Sequence, residues 1–89
     1  MPGDAATHKY FAHALSMLGR LDEAASHFAT SLNLQKDDAE THVNFAVVLA
    51  KQNKLTEALA HLNEALRLKP GDPRIQKSIA ELSALKNSK

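Results

Sequence analysis

Ala39–Pro70, AETHVNFAVVLAKQNKLTEALAHLNEALRLKP, holds two amphipathic stretches of similar length, parted by Gln52-Asn53-Lys54 and closed by Pro70-Gly71. Moved back 34 residues, it falls on Ala5–Lys36. Over the full unit, Ala5–Asp38 aligns without a gap on Ala39–Asp72. The identical pairs are Ala5/Ala39, Thr7/Thr41, His8/His42, Phe11/Phe45, Ala12/Ala46, Leu15/Leu49, Leu21/Leu55, Glu23/Glu57, Ala24/Ala58, His27/His61, Leu32/Leu66, Leu34/Leu68 and Asp38/Asp72. Large apolar residues match large, and small match small, so the register is fixed by packing rather than by composition. A fixed period of this length with two helical patterns per unit marks a solenoid, in which each unit buries its apolar face against its neighbours.

Bulk properties narrow the function. Eighty-nine residues without cysteine make one small domain with no disulfide framework and no thiolate metal site. A core of this size supports roughly 4–13 kcal/mol of stability. The net charge is +1 with both signs interspersed, and the four aromatic residues, Tyr10, Phe11, Phe28 and Phe45, fall in or beside core places. Neither a basic nucleic-acid surface nor a base-stacking platform is built from that. No apolar run reaches the ~18 residues of a membrane span, and no basic start precedes a signal-peptide core. These absences favour the cytoplasm, although a compartment is not legible in the chain itself. Three glycines, three prolines and the lack of strand alternation make the chain all-α.

Five helices are expected, over about 5–18, 22–34, 39–52, 56–68 and 73–86. Asp4, Asp38 and Asp72 precede three of them, where a carboxylate accepts from the free N–H groups of the first turn. Gly19 and Asn53 follow two of them, being the residue types that best tolerate a left-handed conformation. Short loops force antiparallel neighbours. Phe11, Ala12, Leu15 and Leu18 form the apolar face of the first helix, and Ala24, Ala25, Phe28, Leu32 and Leu34 that of the second. The last helix carries the stripe Ile75, Ile79, Leu82, Leu85, expected to cover the open end of the stack as a natural cap. The opening Pro2-Gly3-Asp4-Ala5 resembles the junction Pro70-Gly71-Asp72-Pro73. The chain is therefore expected to be a piece of a longer array, residues 1–4 being the tail of a preceding unit and Met1 supplied for expression; the alternative is a natural start that looks like an inter-repeat loop. Residues 87–89 are expected to be a disordered tail.

The small residues Ala12/Ala46, Ala24/Ala58 and Ser31/Ala65, set among Phe11/Phe45, Leu15/Leu49, Leu21/Leu55 and Phe28/Leu62, with Pro70 at the close, resemble the tetratricopeptide repeat. His8/His42 stand where that family usually has a bulky aromatic, and Lys36 where it has a closing proline. The resemblance implies two repeats, 5–38 and 39–72, and a capping helix 73–86 in a right-handed α–α superhelix. It also implies a protein–protein interaction scaffold with no cofactor.

Catalysis finds no support: no nucleophile elbow, glycine-rich phosphate loop or metal-protease pair occurs. The repeated histidines, His8/His42 and His27/His61, stand one period apart, about a helix spacing of ~10 Å. A shared metal needs donors within ~2.1 Å of the ion, so they read as medium-sized side chains at helix surfaces. The resemblance implies a concave wall lined by the first helix of each unit. Its candidate peptide-binding residues are Lys9, His13, Met17, Glu40, Val43, Asn44, Val47, Lys51, Arg74 and Lys77. Val43 and Val47 are apolar for a solvated face, with Lys9, Arg74 and Lys77 around them. A short extended or helical segment with an apolar anchor and acidic groups would match. Some chaperone-binding members hold a peptide's terminal carboxylates in a five-residue basic clamp; here Lys9, Asn44 and Arg74 match, but His13 and Ser78 replace two members. The competing expectation is a purely structural unit, self-associating as a homodimer through the face of the first helix near Tyr10 and Ala14.

Overall fold

The start of each unit is set by an aspartate. In the computed structural model, which describes residues 3–88, the Asp4 carboxylate accepts from the Thr7 N–H at 2.7 Å, Asp38 from Thr41 at 3.3 Å and Asp72 from Arg74 at 2.9 Å. These ends open α1 (Ala5–Met17), α3 (Ala39–Lys51) and α5 (Pro73–Asn87). Between them lie α2 (Leu21–Leu34) and α4 (Leu55–Leu68). Gly19 and Asn53 take positive φ, +79° and +63°, after α1 and α3. There the Arg20 N–H reaches back to the Leu15 carbonyl at 2.9 Å, and the Lys54 N–H to Leu49 at 2.8 Å, each closing the last turn. Helix α5 runs through Asn87 and is capped at Ser88, so it enters the stretch expected to be tail. Met1, Pro2 and Lys89 lie outside the described residues.

The described residues are all-α, and each helix packs on the next in the chain. Helices α1 and α2 form one antiparallel hairpin, α3 and α4 a second, and α5 lies on α4. Inside each hairpin the helices cross on alanine: Ala12 and Ala24 are fully buried in the first, Ala46 and Ala58 in the second. Side chains this short let two backbones approach, and the larger Leu15, Leu49 and Leu62 fill the flanks. Ser31, at the third small place, donates its hydroxyl to the Ala5 carbonyl at 2.8 Å. That satisfies a polar atom that burial would otherwise make costly.

One hairpin joins the next through Phe28. Its ring is 0% exposed, packed beside Val48 and 6.0 Å from the ring of Phe45. The apolar face of α2 is thus covered by α3. The corresponding face of α1 is not covered: Thr41 and Val48 are fully buried, whereas their counterparts Thr7 and Ala14 are exposed. Three core assignments change for this kind of reason. Phe11 is 51% exposed and Leu18 71%, since no helix lies on that side of α1 among the described residues. Leu34 is also exposed, because α2 ends there before the chain turns away.

Phe28→Ala should cost about 3–5 kcal/mol, since it empties the joint between hairpins. Phe11→Ala, whose ring is already half in water, should cost about 1–2 kcal/mol. Urea unfolding of the two variants checks the order; equal costs would mean that Phe28 is not the joint.

Candidate functional site

Along the first helices, the same register position is used differently in successive units. In the first, Lys9 reaches from α1 to α3, its Nζ 3.2 Å from Asp38 and 2.6 Å from Glu40. With only 14% of its side chain exposed, Lys9 is spent on two carboxylates and is not available to a ligand's acid. One period on, those three places hold Val43, Asp72 and Arg74. Valine cannot bridge, and Arg74 lies 3.6 Å from Asp72 with its own side chain 90% exposed. The cleft between α3 and α5 therefore stays open where that between α1 and α3 is filled by ions.

That opening has two parts. A groove of about 740 Å³ is lined by Val43, Val47, Ala50, Leu82, Ala84 and Leu85, floored by Ala46 and Leu62, with Lys51 on one wall and Glu81 on the other. A smaller depression of about 260 Å³ continues it past Val43 and Ser78 toward Glu40, Asn44, Asp72 and Arg74. Of the wall residues expected from sequence, Val43, Val47 and Lys51 meet in the first part, and Glu40, Val43, Asn44 and Arg74 in the second. His13, Met17 and Lys77 are exposed but line neither. Leu82 and Leu85 belong to the stripe expected to cover the end of the stack. Ile75, Ile79 and Leu82 do pack toward α4, but Leu85 remains 54% exposed along the groove. The stripe runs over about three turns of α5, and its last member, Leu85, lies beyond the residues that pack on α4.

The histidines also depart from expectation. They meet within hairpins rather than across the period: His8 Nδ1 lies 3.0 Å from His27 Nδ1, and His42 Nδ1 3.0 Å from His61 Nδ1. His42 is buried, not a surface filler. Among the described residues no group of three or more histidine or acidic side chains could hold a metal ion, and no helix is long and apolar enough to cross a membrane.

Paired helices crossing on alanine, an uncovered groove along the first helices and a 34-residue register together specify a repeat family. The tetratricopeptide repeat profile matches residues 15–82. The chain belongs to the tetratricopeptide repeat family. No curated protein matches it closely enough to be counted a relative. Membership places the chain among protein–protein interaction scaffolds. Of the clamp that some tetratricopeptide repeats use, Lys9 is already neutralised and Arg74 stands beside Asp72. The charge that would grip a terminal carboxylate is therefore largely spent within the fold.

Burial alone would raise the Asp38 carboxyl. Hydrogen bonds from Thr41 and Lys9 outweigh it and hold the group below its ordinary 3.8. A depressed carboxylate stabilises the fold above that value, and the contribution is lost as pH falls below it. Asp38→Asn keeps a capping oxygen but removes the charge, and should therefore cost about 1 kcal/mol at pH 7 through the Lys9 pair and the helix end. It should also flatten the loss of stability below pH ~4. Thermal melts from pH 7 to pH 2.5 check both; an acid limb as steep as that of the parent chain would remove the assignment.

Proposed function

We propose that the chain is a non-catalytic docking scaffold whose α3–α5 groove holds a short amphipathic segment of a partner protein. One observation carries this: Val43, Val47, Ala50 and Leu85 form a continuous apolar trough beside exposed first-helix surface. Apolar walls supply the affinity, and a segment with anchors at helical spacing would fill such a trough. Lys51 and Glu81 stand across it from each other. The matching partner therefore carries both signs along its flanks rather than a uniformly acidic face. Glu40, Asp72 and Arg74 extend the same mixed pattern into the smaller depression.

The test is a titration of the ¹⁵N-labelled chain with amphipathic helical peptides bearing mixed flanks, and with uniformly acidic ones. Mixed-flank peptides should shift α3 and α5 amides selectively. Val47→Asp, at a position already 46% exposed, should weaken binding about tenfold or more without unfolding the chain. Lys9→Ala should leave affinity unchanged. Shifts centred on α1, or a Val47→Asp variant that binds as well as the parent, would move the site elsewhere.

A second reading is favoured by the surface of α1, where Tyr10, Phe11, Met17 and Leu18 are large and exposed. Helix α1 carries no acidic residue, so two copies could approach there without like-charge carboxylates opposing each other. On this reading two copies associate along α1. Sedimentation should show a dimer that Tyr10→Glu with Leu18→Glu dissolves; a monomer at millimolar concentration ends the reading.

A further inference from the structure

Each hairpin is fastened by two imidazoles facing each other. His8 and His27, and likewise His42 and His61, stand 19 residues apart, join the first helix to the second, and bring Nδ1 to 3.0 Å from Nδ1. Such a contact requires one proton between the rings: one nitrogen donates and the other accepts. In the second hairpin the direction is set. His42 Nε2 lies 3.0 Å from the Lys36 carbonyl, which only accepts, so that nitrogen carries a proton. In the neutral pair, His42 Nδ1 is then the acceptor and the His61 Nδ1–H the donor.

Protons added from solvent act in two unequal steps. The first makes one ring an imidazolium and keeps a proton between the nitrogens, so the contact survives as a charge-assisted bond. The second leaves two N–H groups and two positive charges facing each other across 3.0 Å with no acceptor. We propose that the His42–His61 pair, repeated in His8–His27, is a proton-limited clasp that holds the two helices of a hairpin together and opens when a second proton is forced on it.

The surroundings favour this behaviour. His42 is 7% exposed, and His61 lies against Phe45 with ring centroids 4.5 Å apart, so water can do little to spread a second charge. Burial first, and the nearness of His42 second, hold His61 below its ordinary value, while Glu57 and Glu64 oppose them. Glu64 is itself bonded to Arg67, which also approaches Asp37 in the loop between hairpins. Asp38, at the N-terminus of α3, is committed to Thr41 and Lys9. In the first hairpin the places of Glu57 and Glu64 hold Glu23, paired with Arg20, and Thr30. The Nε2–H bond from His42 to the Lys36 carbonyl does not depend on the clasp, so it holds His42 in place while His61 and α4 part from it.

The experiment is an NMR titration of the intact chain with ¹⁵N-labelled imidazoles from pH 8 to pH 4.5, with the exposed His13 as internal reference. The His42–His61 pair should take up its protons jointly in two separate steps rather than as two independent rings. Amides around residues 57–65 should move with the second step. Four independent single-step titrations besides that of His13 would overturn the proposal. As a second arm, His61→Gln should shrink the fall in thermal midpoint between pH 7 and pH 5, and His13→Gln should not. Where His61→Gln fails to fold, His27→Gln reads the same effect in the first hairpin; an undiminished acid fall in whichever variant folds overturns it.

Discussion

The stack depends on the covering of Phe28. A hairpin crossing on alanine buries its seam but leaves the outer face of its second helix apolar, and α2 has no way to hide that face alone. Helix α3 covers it with Phe45 and Val48. The unit that stabilises the first hairpin is therefore the one whose own second helix, α4, needs covering in turn. Helix α5 provides that cover with Ile75, Ile79 and Leu82. Stability here is a sum of hairpins and nearest-neighbour seams, not of one central core. A change at a seam acts on both units it joins, whereas one on the uncovered side of α1 acts on almost nothing else.

What the sequence made legible is what local chemistry decides. An aspartate before a helical pattern, a glycine or asparagine after one, and alanine where two helices cross each have a cause within a few residues. Helix ends accordingly fall within about one residue of expectation. Leu34, Phe11 and Leu18 satisfy the same apolar periodicity as buried residues, yet are exposed. Periodicity says which side of a helix is apolar, and only the neighbour's position says whether that side is covered. The histidine pairs were hidden for a related reason. The eye follows the 34-residue period, but the contact runs between the two helices inside it, at a separation that acquires meaning only once the crossing is fixed. Periodicity alone makes the ten wall residues one surface; in the fold they divide, because Lys9 bridges one cleft that Val43 leaves open in the next.

That division shows how a repeated fold acquires a local difference at little cost to itself. The crossing alanines, Leu15/Leu49 and the capping aspartates are shared by both units, and they hold the backbone in the same path. The concave positions are not tied to that path. Exchanging Lys9, His13 and Met17 for Val43, Val47 and Lys51 one period on leaves the crossing alanines of each hairpin unchanged. Yet the exchange changes the cleft beside it. In the first unit a half-buried ammonium group meets two carboxylates and ties α1 to the start of α3. In the second, with valine in its place, the arginine and aspartate at the start of α5 meet only each other, and the apolar wall lies open beside them. Whether a cleft in this stack is bridged or left open thus turns on the charge pattern at its rim, Lys9 with Asp38 and Glu40 in one case and Val43 with Asp72 and Arg74 in the next, while the crossing alanines stay the same.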